Sequence, residues 1–286
     1  FRNMKYIPYG KQFIDNRDIS NVIKSLKNDL ITTGPFVKAF EKEVSKKLNV
    51  PYAFSCNSGT SALHLAFLAI DLNENDSVIL PSINFIAAAN IASNLRAKIF
   101  FADVDPKTGQ TTPDLIIDCI LKNKVKSLKA IVIMHHGGYP REISKFKLLK
   151  KKLNCFLIED ACHALGASYK TKSKVERIGS CKNVDISTFS LHPLKSITAG
   201  EGGIVTTRNK NLAYKIKLYR SHGMIKKKNH WNYDVYYNGF NFRLSDLNCA
   251  LAYSQIKKLK KFIKKRKVIY DEYYKNLNDF KDNCKI

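Results

Sequence analysis

Residues 190–203 read SLHPLKSITAGEGG, and this stretch places Lys195 in an irregular loop that is rich in glycine. An apolar run at 185–189 precedes the loop, and a second run at 203–207 follows it. The length and composition of both runs predict a strand on either side of the lysine. A lysine in such a loop can be desolvated, which lowers its pKa and frees its amine for Schiff-base chemistry. The alternative is one more surface lysine, although most lysines of this chain occur in patterns typical of solvated helix faces.

Outward from this loop, short apolar runs alternate with helical patterns through most of the chain. The predicted strands are 52–56, 77–80, 98–101, 130–134, 155–159, 185–189 and 203–207. The alternation predicts an α/β fold with a mostly parallel sheet and helices on both of its faces. Neither an internal repeat nor a low-complexity linker interrupts this pattern.

Three helices are predicted from characteristic residues at their starts or along their length. Thr112 followed by Pro113 predicts an N-cap with proline in the first turn, and Ser245 opens a long helical pattern that continues towards Phe280. The segment 60–70 is apolar nearly all round, so this helix is expected to be buried.

The charge of the chain invites a nucleic-acid interpretation. Among its 286 residues, 49 Lys and Arg stand against 24 Asp and Glu, a formal net charge of +25. However, the densest basic run, Lys257–Lys267, contains Leu259, Phe262 and Ile263 at helical spacing, as in an amphipathic helix with a solvated basic face. Neither an aromatic-basic RNA motif nor a helix-turn-helix pattern accompanies the charge, so no nucleic-acid partner is expected.

The cysteines indicate a reducing compartment. There are seven, an odd number, widely scattered and without a CxxC pair, which argues against a disulfide framework and against a zinc knuckle. Cys162 and His163 lack a second ligand pair at suitable spacing, so no metal site is expected. We therefore expect a cytoplasmic protein.

The first residues of the chain and its longest apolar stretch lead to further predictions. Residues 1–5 lack the apolar core of a signal peptide, and the apolar stretch at 62–70 is too short to span a bilayer, so neither export nor membrane insertion is expected. Phe1 is an unusual first residue, which indicates either a fragment or a translation start at Met4.

Ligands of open parallel sheets bind at the carboxyl ends of the strands, so the polar residues that follow each apolar run are the candidate site residues. Gly59 and Thr60 lie between a strand and the buried helix, where free amides and the helix dipole can hold a phosphate; an ordinary N-cap is the alternative. Asp160 ends another strand, where it can pair with a protonated ring nitrogen, and His163 follows within one turn. A capping Asp and a core His are the alternatives for this pair.

Two other places carry weaker local signals. Phe85 follows a strand end and can stack on a planar cofactor, or it can simply pack. Asn241 and Arg243 lie in a polar turn before the long helix, where they can serve an anion or merely cap and pair.

Taken together, these elements resemble the pyridoxal-phosphate-dependent sugar aminotransferases of the DegT/DnrJ/StrS family. The resemblance covers nearly the whole chain, and residues 190–203 match the lysine segment of that family. It implies the aspartate-aminotransferase fold, fold type I, with pyridoxal 5'-phosphate as cofactor. Lys195 would bind the cofactor covalently and move the proton between substrate and cofactor. Leu191 replaces the usual Phe, a change of apolar packing, and Lys195 argues against the dehydratase branch, which has His there.

The same resemblance implies roles for the other candidates. Asp160 would keep the pyridine nitrogen protonated, His163 would approach the hydroxyl side of the ring, and Phe85 would stack on it. The resemblance further implies phosphate contacts from residues of two subunits, and therefore a homodimer. These residues are Gly59, Thr60 and Ser190 of one subunit and Asn241 of its neighbour.

The expected reaction moves an amino group from L-glutamate to C4 of a UDP-linked 4-keto-6-deoxy-N-acetylhexosamine. Residues 7–12, 33–35 and 220–224 are similar to the family branch that serves pseudaminic acid biosynthesis, whereas 135–140 differs from it. Another nucleotide-linked keto sugar therefore remains open, as do a racemase or lyase activity and a non-catalytic, cofactor-binding sensor or scaffold.

The resemblance also predicts two units. Residues 1–238 would form the large cofactor-binding domain, and 239–286 the connecting helix and the start of a small domain. Family members carry more of that small domain, so we expect it to be incomplete in this chain.

Overall fold

The computed structural model describes residues 8–171, 174–226 and 232–277. Some positions used in the sequence analysis lie outside the described residues: Phe1, Met4, Ile7, Phe280 and Cys284. The part of the predicted second unit beyond residue 277 also lies outside them. Within the described ranges, no helix combines the length with the apolar character of a membrane-spanning segment.

Helices and short strands alternate along the chain. The strands are β1 (Tyr52–Cys56), β2 (Ser77–Pro81), β3 (Lys98–Ala102), β4 (Leu128–Met134), β5 (Phe156–Asp160), β6 (Ser168–Lys170), β7 (Val175–Arg177), β8 (Ile186–Ser190), β9 (Gly203–Thr207), β10 (Met224–Lys226) and β11 (Tyr233–Val235). The helices are α1 (Asn16–Leu26), α2 (Pro35–Leu48), α3 (Gly59–Ala69), α4 (Ala87–Asn94), α5 (Pro113–Asn123), α6 (Ile143–Leu153), α7 (Lys210–Tyr219) and α8 (Asp246–Asn276), with a 3₁₀ turn at His136–Gly138.

The central sheet has seven strands in the order β1-β9-β8-β5-β4-β2-β3. Strands β8, β5, β4, β2 and β3 pair in parallel, whereas β9 is antiparallel to both β8 and β1. The seven strands predicted from the apolar runs are the strands of this sheet, with ends that differ by no more than two residues. The predicted mostly parallel α/β sheet is therefore confirmed.

Both faces of the sheet are covered. In β4, Ile131 and Ile133 belong to one buried cluster, while Ala130 and Val132 belong to the other. The first cluster includes residues of α2, α5, α6 and α8, and the second includes residues of α3, α4 and α7. Because successive residues of a strand face opposite sides, a strand buried on both sides is a continuous apolar run.

The predicted helix starts are also present. Thr112 accepts a hydrogen bond from the Leu115 N–H, and Ser245 accepts one from the Asn248 N–H, both at 3.3 Å. Seven of the eleven residues of α3 are buried, as its apolar composition predicted. The basic run lies on α8, where Leu259 is buried and the surrounding lysines are mostly exposed.

A buried carboxylate fixes the start of α8. Asp246 is fully buried and accepts hydrogen bonds from Ser25 Oγ at 2.6 Å and from the Val37 N–H at 3.1 Å. It thereby joins the beginning of α8 to α1 and α2, so that α8 leaves the core in a defined direction.

The strand pairing brings three chain segments together at one edge of the sheet. Gly203 pairs with Cys56 at the carboxyl end of β1 and with Ser190 at the carboxyl end of β8. A Cβ on Gly203 would overlap the Ser58 carbonyl oxygen, and one on Gly59 would lie 2.8 Å from Ser190 Cβ. Glycine at these two positions therefore allows the first turn of α3 to lie directly against β8 and β9.

Gly203→Ala is expected to lower the free energy of unfolding by about 3 kcal/mol. The new methyl group would overlap the Ser58 carbonyl, and this carbonyl cannot shift without moving the start of α3. Gly202→Ala is the matched control, since its methyl group would meet only side-chain carbons of Leu191 and Ala199 at 3.1–3.3 Å. Urea denaturation of both variants measures the difference, and equal losses would contradict this account of the contact.

Candidate active site

A cavity of about 400 Å³ opens at the carboxyl edge of the sheet. Here it is called the Asp160 cavity. Seven of the eight residues that the sequence analysis selected line it: Gly59, Thr60, Phe85, Asp160, His163, Ser190 and Lys195. Residues separated by more than a hundred positions in sequence thus share one cavity, which supports their selection.

One end of the Asp160 cavity is formed by the first turn of α3. Ser58 is the N-cap, and its side chain and carbonyl accept hydrogen bonds from the Ser61 and Ala62 amides at 3.0 Å. Of the four amides that a helix start leaves unpaired, those of Gly59 and Thr60 remain without a partner among the described residues. Two free amides and the positive end of the helix dipole make this turn an anion site.

Asp160 brings a buried negative charge to the same cavity. It ends β5, is 2% exposed, and accepts a hydrogen bond from the Cys162 N–H at 3.2 Å. Its backbone is held by β4 and β8, where it lies opposite Met134 and Thr188. A carboxylate that is this buried favours a cationic N–H partner, such as a protonated ring nitrogen.

The residue before Asp160 is buried on the other side of the strand. Glu159 accepts hydrogen bonds from His135 Nε2 at 2.9 Å, Ser187 Oγ at 2.5 Å and the Gly179 N–H at 3.2 Å. His135 also donates its backbone N–H to the Asp160 carbonyl at 3.2 Å. The sequence analysis missed this pair; two adjacent acids at a strand end were the available signal, but Glu159's partners come from distant segments.

His163 is half-buried beside Lys195 and Asp160. Burial, together with the positive charge of Lys195, lowers the pKa of His163 below its ordinary value, and the Asp160 carboxylate partly opposes this shift. Burial and the Lys195 charge both favour the uncharged form of the imidazole. The neighbouring thiol is uncharged, because burial and the Asp160 carboxylate raise the pKa of Cys162.

The Lys195 loop is held by hydrogen bonds on both sides of the lysine. The Lys195 N–H donates to the His192 carbonyl at 2.9 Å, and Arg266 Nη2 of α8 donates to the Lys195 carbonyl at 2.7 Å. Further along, Asn248 Nδ2 donates to the Ala199 carbonyl at 2.6 Å. Leu191 is fully buried in the core, so the replacement of the expected Phe is a packing change.

Phe85 lines the cavity from the loop between β2 and α4, and the residue is 70% exposed. An aromatic ring of this exposure is not a core residue, so the packing alternative does not describe it. The preceding Asn84 accepts a hydrogen bond from the Phe85 N–H at 2.7 Å. The ring is thus available to stack on a planar group.

Asn241 does not line the Asp160 cavity. It is exposed and pairs through its backbone with Ser221, while the adjacent Phe242 carbonyl accepts a hydrogen bond from the Asn57 N–H at 2.9 Å. The segment thus lies next to the start of α3 with the Asn241 side chain outside the cavity. Its role across a subunit boundary stays a prediction.

The residues of the cavity fit pyridoxal phosphate. Gly59 lies so close to Ser190 that a Cβ would come within 2.8 Å of Ser190 Cβ, and the adjoining free amides suit a phosphate. Asp160 supplies a buried carboxylate for a ring nitrogen, Phe85 an exposed aromatic ring, and Lys195 an amine. His192, Glu201 and Met134 also line the cavity, and the sequence analysis gave them no role.

Comparisons with known proteins match the chain to a group of aminotransferases. The sequence model of the DegT/DnrJ/EryC1/StrS aminotransferase family matches residues 12–286. The chain is 40% identical over 269 residues to the UDP-4-amino-4,6-dideoxy-N-acetyl-beta-L-altrosamine transaminase of Campylobacter jejuni subsp. jejuni strain 81-176, covering 94% of this chain and 69% of the relative. It is 33% identical over 276 residues to the GDP-perosamine synthase of Escherichia coli O157:H7, covering 96% and 72%.

Among solved structures, the fold is similar to that of Helicobacter pylori PseC, described as an aminotransferase involved in the biosynthesis of pseudoaminic acid. The TM-score is 0.86 at 30% identity, and the match covers 96% of this chain and 71% of that one.

The charges around His163 lead to a test that needs no cofactor. Lys195→Ala is expected to raise the pKa of His163, because a nearby positive charge is removed, and Asp160→Asn is expected to lower it further. Titration of the imidazole signals by NMR, with His163→Gln to assign the resonance, measures both shifts. Shifts in the same direction would show that these charges do not act on His163.

Proposed function

The chain belongs to the DegT/DnrJ/EryC1/StrS aminotransferase family and is a pyridoxal-phosphate-dependent transaminase, and from this premise we propose its substrates and the roles of its residues. It transfers an amino group from L-glutamate to C4 of a UDP-linked 4-keto-6-deoxy-N-acetylhexosamine. The observation that carries the proposal is the meeting of Lys195, Asp160 and the first turn of α3 in one cavity.

When bound, pyridoxal phosphate holds the amino group between the two substrates and withdraws electrons from the reacting carbon. The amine of Lys195 holds the cofactor and moves the proton at that carbon. The Asp160 carboxylate would keep a proton on the ring nitrogen, and His163 would lie at the ring's hydroxyl side. Burial of Asp160 and the lowered pKa of His163 support these roles.

The other end of the cofactor is bound by groups that carry no charge of their own. The Gly59 and Thr60 amides and the Ser190 hydroxyl bind the phosphate, and the Phe85 ring stacks on the pyridine. The free amides, the close approach of Gly59 to Ser190 and the exposure of Phe85 support these contacts. This end therefore fixes the position of the cofactor, while Lys195 and Asp160 act on its chemistry.

The sugar is inferred from the relatives. The Campylobacter jejuni relative is named for a UDP-linked amino sugar, which supports a UDP-linked substrate. The Escherichia coli relative is named for a GDP-linked sugar, and this favours a GDP-linked keto sugar as the second candidate. In either case the substrate joins a keto sugar to a nucleotide through a diphosphate.

The assembly and the division of the chain are also proposals. Two subunits form the active enzyme, with Asn241 of each reaching the phosphate in its neighbour; the exposed Asn241 side chain beside the start of α3 supports this. Residues 1–238 form the cofactor-binding domain, and 239–286 the connecting helix and the start of a small domain. The six described cysteines are free, which supports a cytoplasmic location.

Lys195→Ala is expected to abolish the visible absorbance band of lysine-bound pyridoxal phosphate and to lower amino transfer by about a thousandfold or more. Lys107→Ala, which changes an exposed lysine outside the cavity, is the control and is expected to keep both. Absorbance spectra of the purified protein with pyridoxal phosphate, recorded before and after addition of L-glutamate, follow cofactor binding and the first half-reaction.

The second half-reaction identifies the sugar. Protein converted by L-glutamate is mixed with a UDP-linked 4-keto-6-deoxy-N-acetylhexosamine or with a GDP-linked 4-keto-6-deoxyhexose, and the product is analysed by mass spectrometry. Amination of the UDP-linked sugar supports the proposal, and amination of only the GDP-linked sugar replaces it by the second candidate. A Lys195→Ala variant with unchanged transfer would refute the assignment of the lysine.

A further inference from the structure

A second cavity, of about 590 Å³, adjoins the Asp160 cavity. Here it is called the Arg266 cavity. The two cavities share His163, Leu194 and Lys195, so a molecule that reacts at Lys195 can extend from one into the other. The Arg266 cavity is bounded on its other sides by residues of the N-terminal segment, the 3₁₀ turn and α8, including Lys11, His136 and Arg266.

The lining of the Arg266 cavity is basic. Besides Lys195, it contains Lys11, Arg266 and the imidazoles of His136 and His163, and none of the described lining residues is acidic. Among the described residues, neither Lys11 nor Arg266 pairs with a carboxylate; the hydrogen bond that Arg266 makes is to the Lys195 carbonyl. Two cationic groups next to Lys195 therefore have no negative partner among the described residues.

Several basic residues elsewhere have partners, in contrast to this pair. Lys150 pairs with Asp185 at 2.5 Å, Lys182 with Glu176 at 2.7 Å, and Lys258 with Asp15 at 3.0 Å and with Asp18 at 2.5 Å. The Arg266 cavity differs from these sites because its lining supplies no carboxylate to its cations among the described residues.

Gly137 adds free space to this cavity. Its φ is +62°, and a Cβ at this position would meet nothing within 4 Å. Because the residue is a lining residue, a side chain there would occupy cavity volume without a clash with the fold.

We propose that the Arg266 cavity binds the anionic oxygens of a substrate through Lys11, Arg266 and His136. This inference rests on the proposed function, in which the diphosphate of the nucleotide and the carboxylates of L-glutamate are the available anions. The diphosphate fits best, because it is attached across the sugar ring from C4. With C4 at Lys195, the diphosphate would lie one sugar ring away, and the Arg266 cavity adjoins the Asp160 cavity at Lys195.

Binding of UDP, measured by isothermal titration calorimetry, tests the site without turnover. Lys11→Gln and Arg266→Gln are each expected to weaken UDP binding about tenfold, as for the loss of a charged hydrogen bond. Lys264→Gln is the matched control, because it removes the same charge from an exposed position of α8 outside the cavity. Gly137→Asn is expected to weaken UDP by occupying space, since asparagine tolerates positive φ.

The same variants are then titrated with L-glutamate, and the concentration that gives half-maximal conversion of the cofactor is measured. Comparison of this concentration with the UDP affinity distinguishes a diphosphate site from a carboxylate site. Weaker UDP binding with unchanged L-glutamate dependence assigns the cavity to the diphosphate, and the reverse assigns it to a carboxylate; weakening of both shows that the two anions share it. Changes below twofold in both series, or an equal loss in Lys264→Gln, would overturn the proposal. If the wild-type protein binds UDP but L-glutamate causes no conversion, the proposed function fails while the anion site stands.

Discussion

The candidate site depends on a close contact between backbone segments, in which the first turn of α3 lies against the ends of β8 and β9. Gly203 pairs with β1 on one side and β8 on the other, and the Ser58 carbonyl occupies the position where its side chain would be. Gly59 allows the same approach towards Ser190. Because of this contact, the free amides of α3 and the loop that leaves β8 face one cavity. The start of α3 and the loop that carries Lys195 are thereby brought together by backbone geometry before any side chain contributes.

Strand β5 divides two buried carboxylates between the two sides of the sheet. Glu159 is satisfied by His135, Ser187 and the Gly179 amide, whereas Asp160 accepts one backbone N–H and lines the cavity. Successive residues of a strand point in opposite directions, so the two acids lie close in sequence but have separate environments. The Glu159 carboxylate is hydrogen-bonded within the fold, where an unpaired carboxylate would be costly. The Asp160 carboxylate remains available to a ligand. This division explains why only one of the two acids belongs to the candidate site.

Much of the fold could be predicted because its signals are local. Each strand of the sheet contains apolar residues, which form uninterrupted runs in β2 and β4. Thr112 and Ser245 cap their helices through hydrogen bonds from residues three positions ahead. The candidate residues could be selected because the carboxyl ends of parallel strands meet at one edge. The His135–Glu159 pair and the Arg266 cavity could not be predicted, since each joins segments that are distant in sequence. The hairpins β6–β7 and β10–β11 were also missed, because their strands have three residues and no apolar run.

Helix α8 has 31 residues and is therefore about 46 Å long, so its two ends experience different surroundings. Its first turns are buried around Asp246, whereas its later part is exposed and carries Arg266 to the Lys195 carbonyl. A small rotation of the helix about its buried start displaces Arg266 by a larger distance than it displaces Asn248. The hydrogen bond from Arg266 links this part of the helix to the backbone of Lys195. Contacts made by the exposed part of α8 can therefore influence the Lys195 backbone through this hydrogen bond.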